Sequence, residues 1–446
     1  MFTYEDVVKY ILDIPRFSAF QGGRSKSGND NLSNIMEKLN NPHLKRRTIH
    51  IAGTNGKGST ATFIKNILNV RGYKVGIFTS PHLEKINERI SVDDIISDED
   101  FVLCFNKVKE ACDMACAEGM NHLSFFEFIF AMAAVYFEMQ ELDYVIYETG
   151  LGGRLDATNI IRPVITAITS IGLDHVKYLG NTIEDIAGEK AGIIKQGVPV
   201  VYNTGEKSAD EIIEQYAIDN CSKAINVAKT DYIINEFTDK TIDFSVSNSY
   251  YKYDNLFINS NGATYQIQNA MTAISVCNEI FKEDLFTKDE LLIAFEKFYW
   301  PGRMERIHNN IILDGAHNED AIKEFVSSII KAYNDKQINL LFAVADDKDY
   351  ETMIKTLCKN LTISRVMVTT IDSERGVSAK LISDLFKSNF AELKKNAVVE
   401  WDSSIEKGFL KSYSEVKNTD NLLFCVGSLY LIGSIKEIAK EVLKDD

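Results

Sequence analysis

Two hydrophobic periods alternate along this chain. Short, nearly continuous apolar runs, "KVGIFTS", "YVIYETG", "VITAITSIG" and "VPVVYN", are separated by stretches whose apolar residues recur at helical spacing. This alternation, up to about Asn203, predicts a largely parallel sheet covered by helices. From Ala224 to Ile267 the pattern changes to polar and aromatic β segments with turn residues, such as "TIDFSVSNSYYKYDNLFI", read as antiparallel strands at the edge of the same domain. Helices are expected near Gln266 and near Lys288. "FYWPGRMER" then sets Pro301 and Gly302 between helix and strand, as an interdomain linker would. A second series, "NIILDGAHN", "INLLFAVA", "RVMVTTI", "AVVEW" and "NLLFCVGS", each with a helical stretch behind it, predicts a smaller α/β domain of Rossmann-like type. The expected domains are residues 1–298 and 299–446.

Composition narrows the class. A chain of 446 residues with 45% hydrophobic content can bury two cores. No apolar run approaches the roughly 20 residues that span a bilayer, and "MFTYEDVVKYIL" is acidic where a signal peptide is basic, so a cytoplasmic protein with no membrane partner is expected. The seven cysteines are odd in number and scattered, and Cys112 and Cys116 have no metal-ligand company, so reduced core thiols are expected. A net charge of −15 opposes a nucleic-acid surface and means that an anionic substrate must be met by local positive groups.

Such groups occur in "TIHIAGTNGKGSTATFIKNIL", Thr48 to Leu68. A short apolar strand runs into Gly53, Thr54, Asn55, Gly56, Lys57, Gly58, Ser59 and Thr60, and Phe63, Ile64, Ile67 and Leu68 then recur as a helix that Gly72 stops. Strand, glycine loop, helix is the order of a phosphate-binding loop: glycines let backbone amides approach an anion, the helix N-terminus favours it, and Lys57 adds a cation. The loop is a variant, because Gly58 separates Lys57 from the hydroxyl pair. The bland reading is a tight strand-to-helix turn.

Other polar residues share one address, the end of a strand. Ser80 and His82 follow "VGIFT", Glu148 ends "YVIYE", Asp174 and His175 follow "ITSIG", and Asp314 and His317 follow "NIIL". In parallel sheets such ends gather at one crevice, and a carboxylate, a serine hydroxyl and a histidine nitrogen there could hold Mg²⁺ against nucleotide phosphates. A lone histidine is more often structural than a ligand, and the shared position favours the ligand reading. Lys190 lies in "IEDIAGEKAGIIK", a helix opened by Thr182 with Asp185 three residues on, and spacing does not separate it from a solvated helix lysine. Composition and spacing reach a Mg-nucleotide enzyme.

The order of the pieces resembles a known family. "HIAGTNGKGST", "TSPHL", "SFFE", "ETGLGGRLDATN", "ITSIGLDHVKYLGNTIEDIAGEKAGIIK", "YQIQNA", "PGRME" and "LDGAHN" are similar to the folylpolyglutamate synthases and dihydrofolate synthases, within the Mur ligases. The glycine after Lys57 is itself a mark of the folate branch. The likeness is dense from Thr48 to Val200, resumes from Gly262 to Asn318, and thins to "ADDKD" and "VGSLYL". It implies that ATP phosphorylates a carboxylate of a reduced folate or dihydropteroate and that the amine of L-glutamate attacks the acyl phosphate. Lys57 and the loop would hold ATP. Ser80 and Glu148 would bind one Mg²⁺ and His175 a second, helped by a carbamylated Lys190. Asn269, Arg303, Asp314 and His317 would contact the nucleotide, with the smaller domain closing over it, and His82, Phe126 and Asp156 would serve the substrate side. A monomer is expected.

Two departures stand out. Tyr265-Gln266 replaces the His-Gln common in the family, and the polar segment "FQGGRSKSGNDN", residues 20–31, is longer than expected. The rival readings are a cell-wall amino-acid ligase of the same fold, opposed by the folate-type loop, and a P-loop ATPase without ligase activity.

Overall fold

The structure is a computed structural model that describes residues 2–15, 29–228 and 231–443, so most of the polar 20–31 segment lies outside the described residues. Strands β1 (Arg47–Ala52), β2 (Val75–Phe78), β3 (Ile90–Ser91), β4 (Tyr144–Glu148), β5 (Pro163–Ile168), β6 (Val200–Tyr202) and β7 (Ala224–Asn226) form a seven-stranded sheet in the order β3-β2-β4-β1-β5-β6-β7. All neighbours run parallel except β2 and β3. Every residue of β1 beyond Arg47 is buried, which is why the run lacks the in-out alternation of a half-exposed strand. The helix Phe125–Met139 buries every residue from Phe128 to Phe137 and is opened by a Ser124–Glu127 capping box. A helix apolar on all sides is packed on all sides.

By its contacts the chain separates into two compact units. One is Met1–Ile171, Leu179–Lys229 and Gln268–Lys297, the other Gly172–Tyr178, Thr230–Ile267 and Phe298–Asp446. The antiparallel strands expected after Ala224 are present with a different affiliation. Strands β8 (Tyr232–Phe237), β9 (Thr241–Ser247) and β10 (Lys252–Asn259) make a three-stranded sheet of their own, within the second unit, and only β7 joins the seven-stranded sheet, parallel to β6. The cause lies in the pattern: β9 alternates buried and half-buried residues, which suits a sheet with one covered face and not a layer with helices on both.

The second unit also holds β11 (Glu305–His308), β12 (Ile311–Asp314), β13 (Ile338–Phe342), β14 (Ile363–Val368), β15 (Val398–Trp401) and β16 (Leu422–Val426), in the order β11-β12-β16-β13-β14-β15 and parallel except for β11 with β12. The expected helices run Tyr265–Ile280 and Lys288–Glu296. Five cysteines are buried, whereas Cys116 and Cys221 are exposed and so are not core thiols. Among the described residues, no helix is long and apolar enough to cross a membrane.

The helix behind the glycine loop, Lys57–Val70, ends at Arg71, whose guanidinium lies 3.8 Å from the centre of the Phe286 ring and gives its Nε–H to Glu290 at 2.7 Å. That bond, more than any other influence, pulls the Glu290 carboxyl down to about 2. We expect Arg71→Ala to cost about 2 kcal/mol in urea unfolding at pH 7. Because the Glu290 pKa is depressed in the folded state, its share of that stability is present above the ordinary carboxylate range and fades as pH falls towards 2. The gap between variant and parent should therefore narrow in acid, and a gap independent of pH would leave the ion pair without a role.

Candidate active site

The glycine loop is fixed by bonds from far along the chain. Gly53 (φ +151°) and Gly56 (φ +87°) hold backbone that other residues resist, and a Cβ would fall 1.8 Å from Thr169 Oγ1 at Gly53 and 2.3 Å from Asn269 Oδ1 at Gly56. The Thr54 N–H donates to the Ser170 carbonyl at 2.7 Å, and the Thr169 and Ser170 hydroxyls donate to the Asn55 carbonyl at 2.7 and 3.2 Å. Thr169 and Ser170 directly follow β5, so the strand-end rule that found Ser80 and Asp174 would also have found them.

Two lysines converge on this loop. Lys57 Nζ donates to the carbonyls of Gly53 (3.0 Å) and Thr54 (3.2 Å), and Lys190 Nζ donates to the same Gly53 carbonyl at 2.8 Å. Lys190 is only 4% exposed, which removes the solvated-lysine reading. Glu148, at the end of β4, puts Oε1 3.8 Å from Lys57 Nζ, and the Ser80 N–H points at its Oε2 from 3.4 Å. Lys57 brings a cation to the loop in a chain that is acidic overall. Ser59 and Thr60 are buried in the first turn of the helix, beside Gly58.

Around this core, Asn269 is buried beside Gly56, and Phe126 lies against Gly150 and the Phe78 ring. His82 accepts the Arg89 Nε–H on Nδ1 at 2.9 Å. Asp156 is buried and spends both oxygens on its own loop: Oδ2 accepts the N–H groups of Gly150 and Leu151, each at 2.9 Å, and Oδ1 accepts the Thr158 backbone N–H at 3.0 Å and its hydroxyl at 2.5 Å. Its carboxylate therefore shapes that loop.

In the second unit, Asp174 is a hub. Its carboxylate takes Lys348 Nζ at 2.6 Å, Asn318 Nδ2 at 3.1 Å and the His175 N–H at 2.8 Å, and that last bond belongs to a left-handed His175 (φ +51°). Burial, then Lys348, push His317 down to about 4, so the ring is neutral at pH 7, and the Gly315 carbonyl 2.7 Å from Nδ1 places the proton there. Burial works to raise the Asp174 pKa, but neighbouring charge holds it well below the ordinary carboxylate range. With His317 neutral, Lys348 supplies that charge. Lys348 stands in "ADDKD" and was not singled out by sequence. Asp314, at the end of β12, accepts the Tyr265 hydroxyl and the Met304 N–H, both at 2.9 Å, so Tyr265 is tied to the strand end. Arg303 donates to the Gly302 carbonyl at 3.0 Å.

A model of the Mur ligase middle domain matches residues 51–277, and one of the dihydrofolate synthetase C-terminal domain matches residues 302–438. The dihydrofolate synthase/folylpolyglutamate synthase of Bacillus subtilis is 35% identical over 441 residues, covering 95% of this chain and 100% of that protein. The chain belongs to this family of Mur ligases. The ligase is also similar to the crystal structure of folylpolyglutamate synthase from Thermotoga maritima, with a TM-score of 0.80 and 30% identity over 98% of this chain and 96% of that one. It shares its fold with Mycobacterium tuberculosis folylpolyglutamate synthase complexed with ADP, with a TM-score of 0.87 and 23% identity over 98% of each chain.

Proposed function

We propose that this ligase uses ATP to join L-glutamate to the free carboxylate of a reduced folate, and also of dihydropteroate. The observation that carries the reading is the loop on which Lys57 and Lys190 share the Gly53 carbonyl, beside Glu148. The acceptor carboxylate attacks the terminal phosphate of ATP, ADP leaves, and the resulting acyl phosphate loses phosphate when the glutamate amine adds to its carbonyl and gives up a proton. Lys57 and the loop amides hold the transferring phosphate as charge builds on it. Asn269 in the first unit, and Arg303, Asp314 and His317 in the second, are assigned to the nucleotide by resemblance. Both reactions are included because the Bacillus subtilis relative is named for both. The same reading makes the ligase a cytoplasmic monomer.

Mg²⁺ belongs to this proposal. Among the described residues, no three of His, Cys, Asp and Glu stand together as a ligand cluster. A nucleotide-bound Mg²⁺ needs only one or two protein oxygens, since phosphates and water complete its shell, and buried Glu148 with Ser80 at the neighbouring strand end fits that demand. Bound there, the ion would neutralise phosphate charge. A second Mg²⁺ is assigned to His175 and to Lys190 as its carbamate, formed when the amine adds to CO₂ and releases a proton. A carbamate keeps one N–H, so the bond to the Gly53 carbonyl is compatible with either form of Lys190.

Glutamate-dependent ADP release, measured side by side with dihydropteroate and tetrahydrofolate, tests the function. Release that needs both an acceptor and glutamate supports it, and release without them makes the protein an ATPase. For Glu148→Gln we expect activity to fall about 100-fold, with only partial recovery at raised Mg²⁺. A Mg²⁺ titration that overlays the parent's would remove Glu148 from the metal site.

A further inference from the structure

A second polar assembly lies under the glycine loop, in the middle of the seven-stranded sheet. His50 is on β1, between β4 and β5, opposite Tyr147 and Thr166, and is 0% exposed. An imidazole at such a position costs stability unless it is hydrogen-bonded. Its Nε2 lies 2.7 Å from Thr158 Oγ1, while Nδ1 is buried with no partner among the described residues. The Thr158 hydroxyl in turn lies 2.5 Å from Asp156 Oδ1.

An ionised carboxylate only accepts, so the Thr158 hydroxyl donates to Asp156 and must accept from His50, which places the imidazole proton on Nε2. The reverse arrangement, with Asp156 protonated at Oδ1, would send the Thr158 hydroxyl proton to His50 Nε2 and leave an N–H at Nδ1. A buried N–H without an acceptor is costlier than an under-used lone pair. The chain therefore runs from His50 Nε2–H through the Thr158 hydroxyl to Asp156, whose other oxygen gathers the N–H groups of Gly150 and Leu151. Those two residues lie just beyond Glu148, and Gly150 is the surface against which Phe126 packs.

We infer that His50 and Thr158 are positioning residues for the acceptor side of the reaction, fixing through Asp156 the backbone of the Gly150–Leu151 loop. The inference rests on the proposed reading that Phe126 and the Asp156 loop serve the folate or pteroate substrate. It separates two sets of bonds at the sheet. The glycine loop at Gly53 to Asn55 is tied by Thr169, Ser170, Lys57 and Lys190, none of which belongs to the His50 chain. Loosening the chain should therefore disturb the acceptor and spare ATP.

The experiment has a spectroscopic and a kinetic arm. With seven histidines in the sequence, ¹³C- and ¹⁵N-labelled histidine in the full chain allows the His50 signals to be assigned by comparison with Thr158→Val and Thr158→Ser. The expected state is neutral with the proton on Nε2, shifted in the valine variant and kept in the serine variant. In steady-state assays Thr158→Val, which keeps the side-chain shape but loses the hydroxyl, should raise KM for the folate or pteroate acceptor about tenfold and leave KM for ATP within about twofold, while Thr158→Ser stays near the parent. A proton on Nδ1, an unchanged acceptor KM in the valine variant, or acceptor and ATP KM rising together would each overturn the inference. If the parent turns over no folate or pteroate acceptor, the functional reading fails, and the His50 signals still decide whether the chain exists.

Discussion

Replacing Lys57 with alanine is expected to lower turnover by about 100- to 1,000-fold while the protein stays folded. A donor aimed at charge that grows during phosphoryl transfer has an effect of that order. Survival of the loop follows from its bonding: with the Lys57 ammonium gone, the Gly53 carbonyl still accepts from Lys190, and Thr169, Ser170 and the Thr54 N–H still tie the loop to the end of β5. The loss should appear in kcat more than in KM for ATP, because the ground-state nucleotide keeps its backbone contacts. Circular dichroism and thermal melting beside the kinetics separate chemistry from folding. Near-normal turnover in a folded Lys57→Ala protein would withdraw the phosphate-binding assignment.

The second large effect is expected at Lys190. Alanine there should leave the ligase nearly inactive, about 1,000-fold below the parent or lower. The cause can be read from the chemistry of rescue. An unmodified ammonium beside Mg²⁺ is repelled, whereas a carbamate brings negative charge on a long stem. Acetate or formate should restore part of the activity of Lys190→Ala, and chloride at equal ionic strength should not. The parent should also lose activity when CO₂ is stripped from the buffer, and ¹³C-bicarbonate should produce a carbamate resonance that is missing in the variant. Equal rescue by chloride would make this a general salt effect. Full activity of Lys190→Ala would end the carbamate hypothesis.

The sequence was most informative where chemistry and period coincide. The nearly continuous apolar character of the β1 and β4 runs announces strands covered on both faces, and Gly53 and Gly56 announce backbone that only glycine holds comfortably. The strand-end rule singled out Glu148 and Asp174, and the structure adds what lies beside them: Lys57 near the one, Lys348 on the other. Lys348 escaped because its partner is 174 positions away and "ADDKD" reads as an ordinary charged loop. The antiparallel strands after Ala224 were legible as strands and not as a separate sheet, since alternation reveals one covered face without revealing what covers it. His50 was hidden by its own motif, where a histidine in a strand carries no sign that its ring is the start of a buried chain.

Apart from those of Lys57, the side-chain and strand-end bonds that hold the glycine loop come from residues more than a hundred positions further on: Ser170 for Thr54, Thr169 and Ser170 for Asn55, Lys190 for Gly53. The loop cannot settle until β5 and the helix that carries Lys190 have docked, so its conformational search ends once, during folding, rather than in every turnover. On the proposed function, a nucleotide would then meet a finished mould, and its binding energy would be left for chemistry instead of ordering the chain.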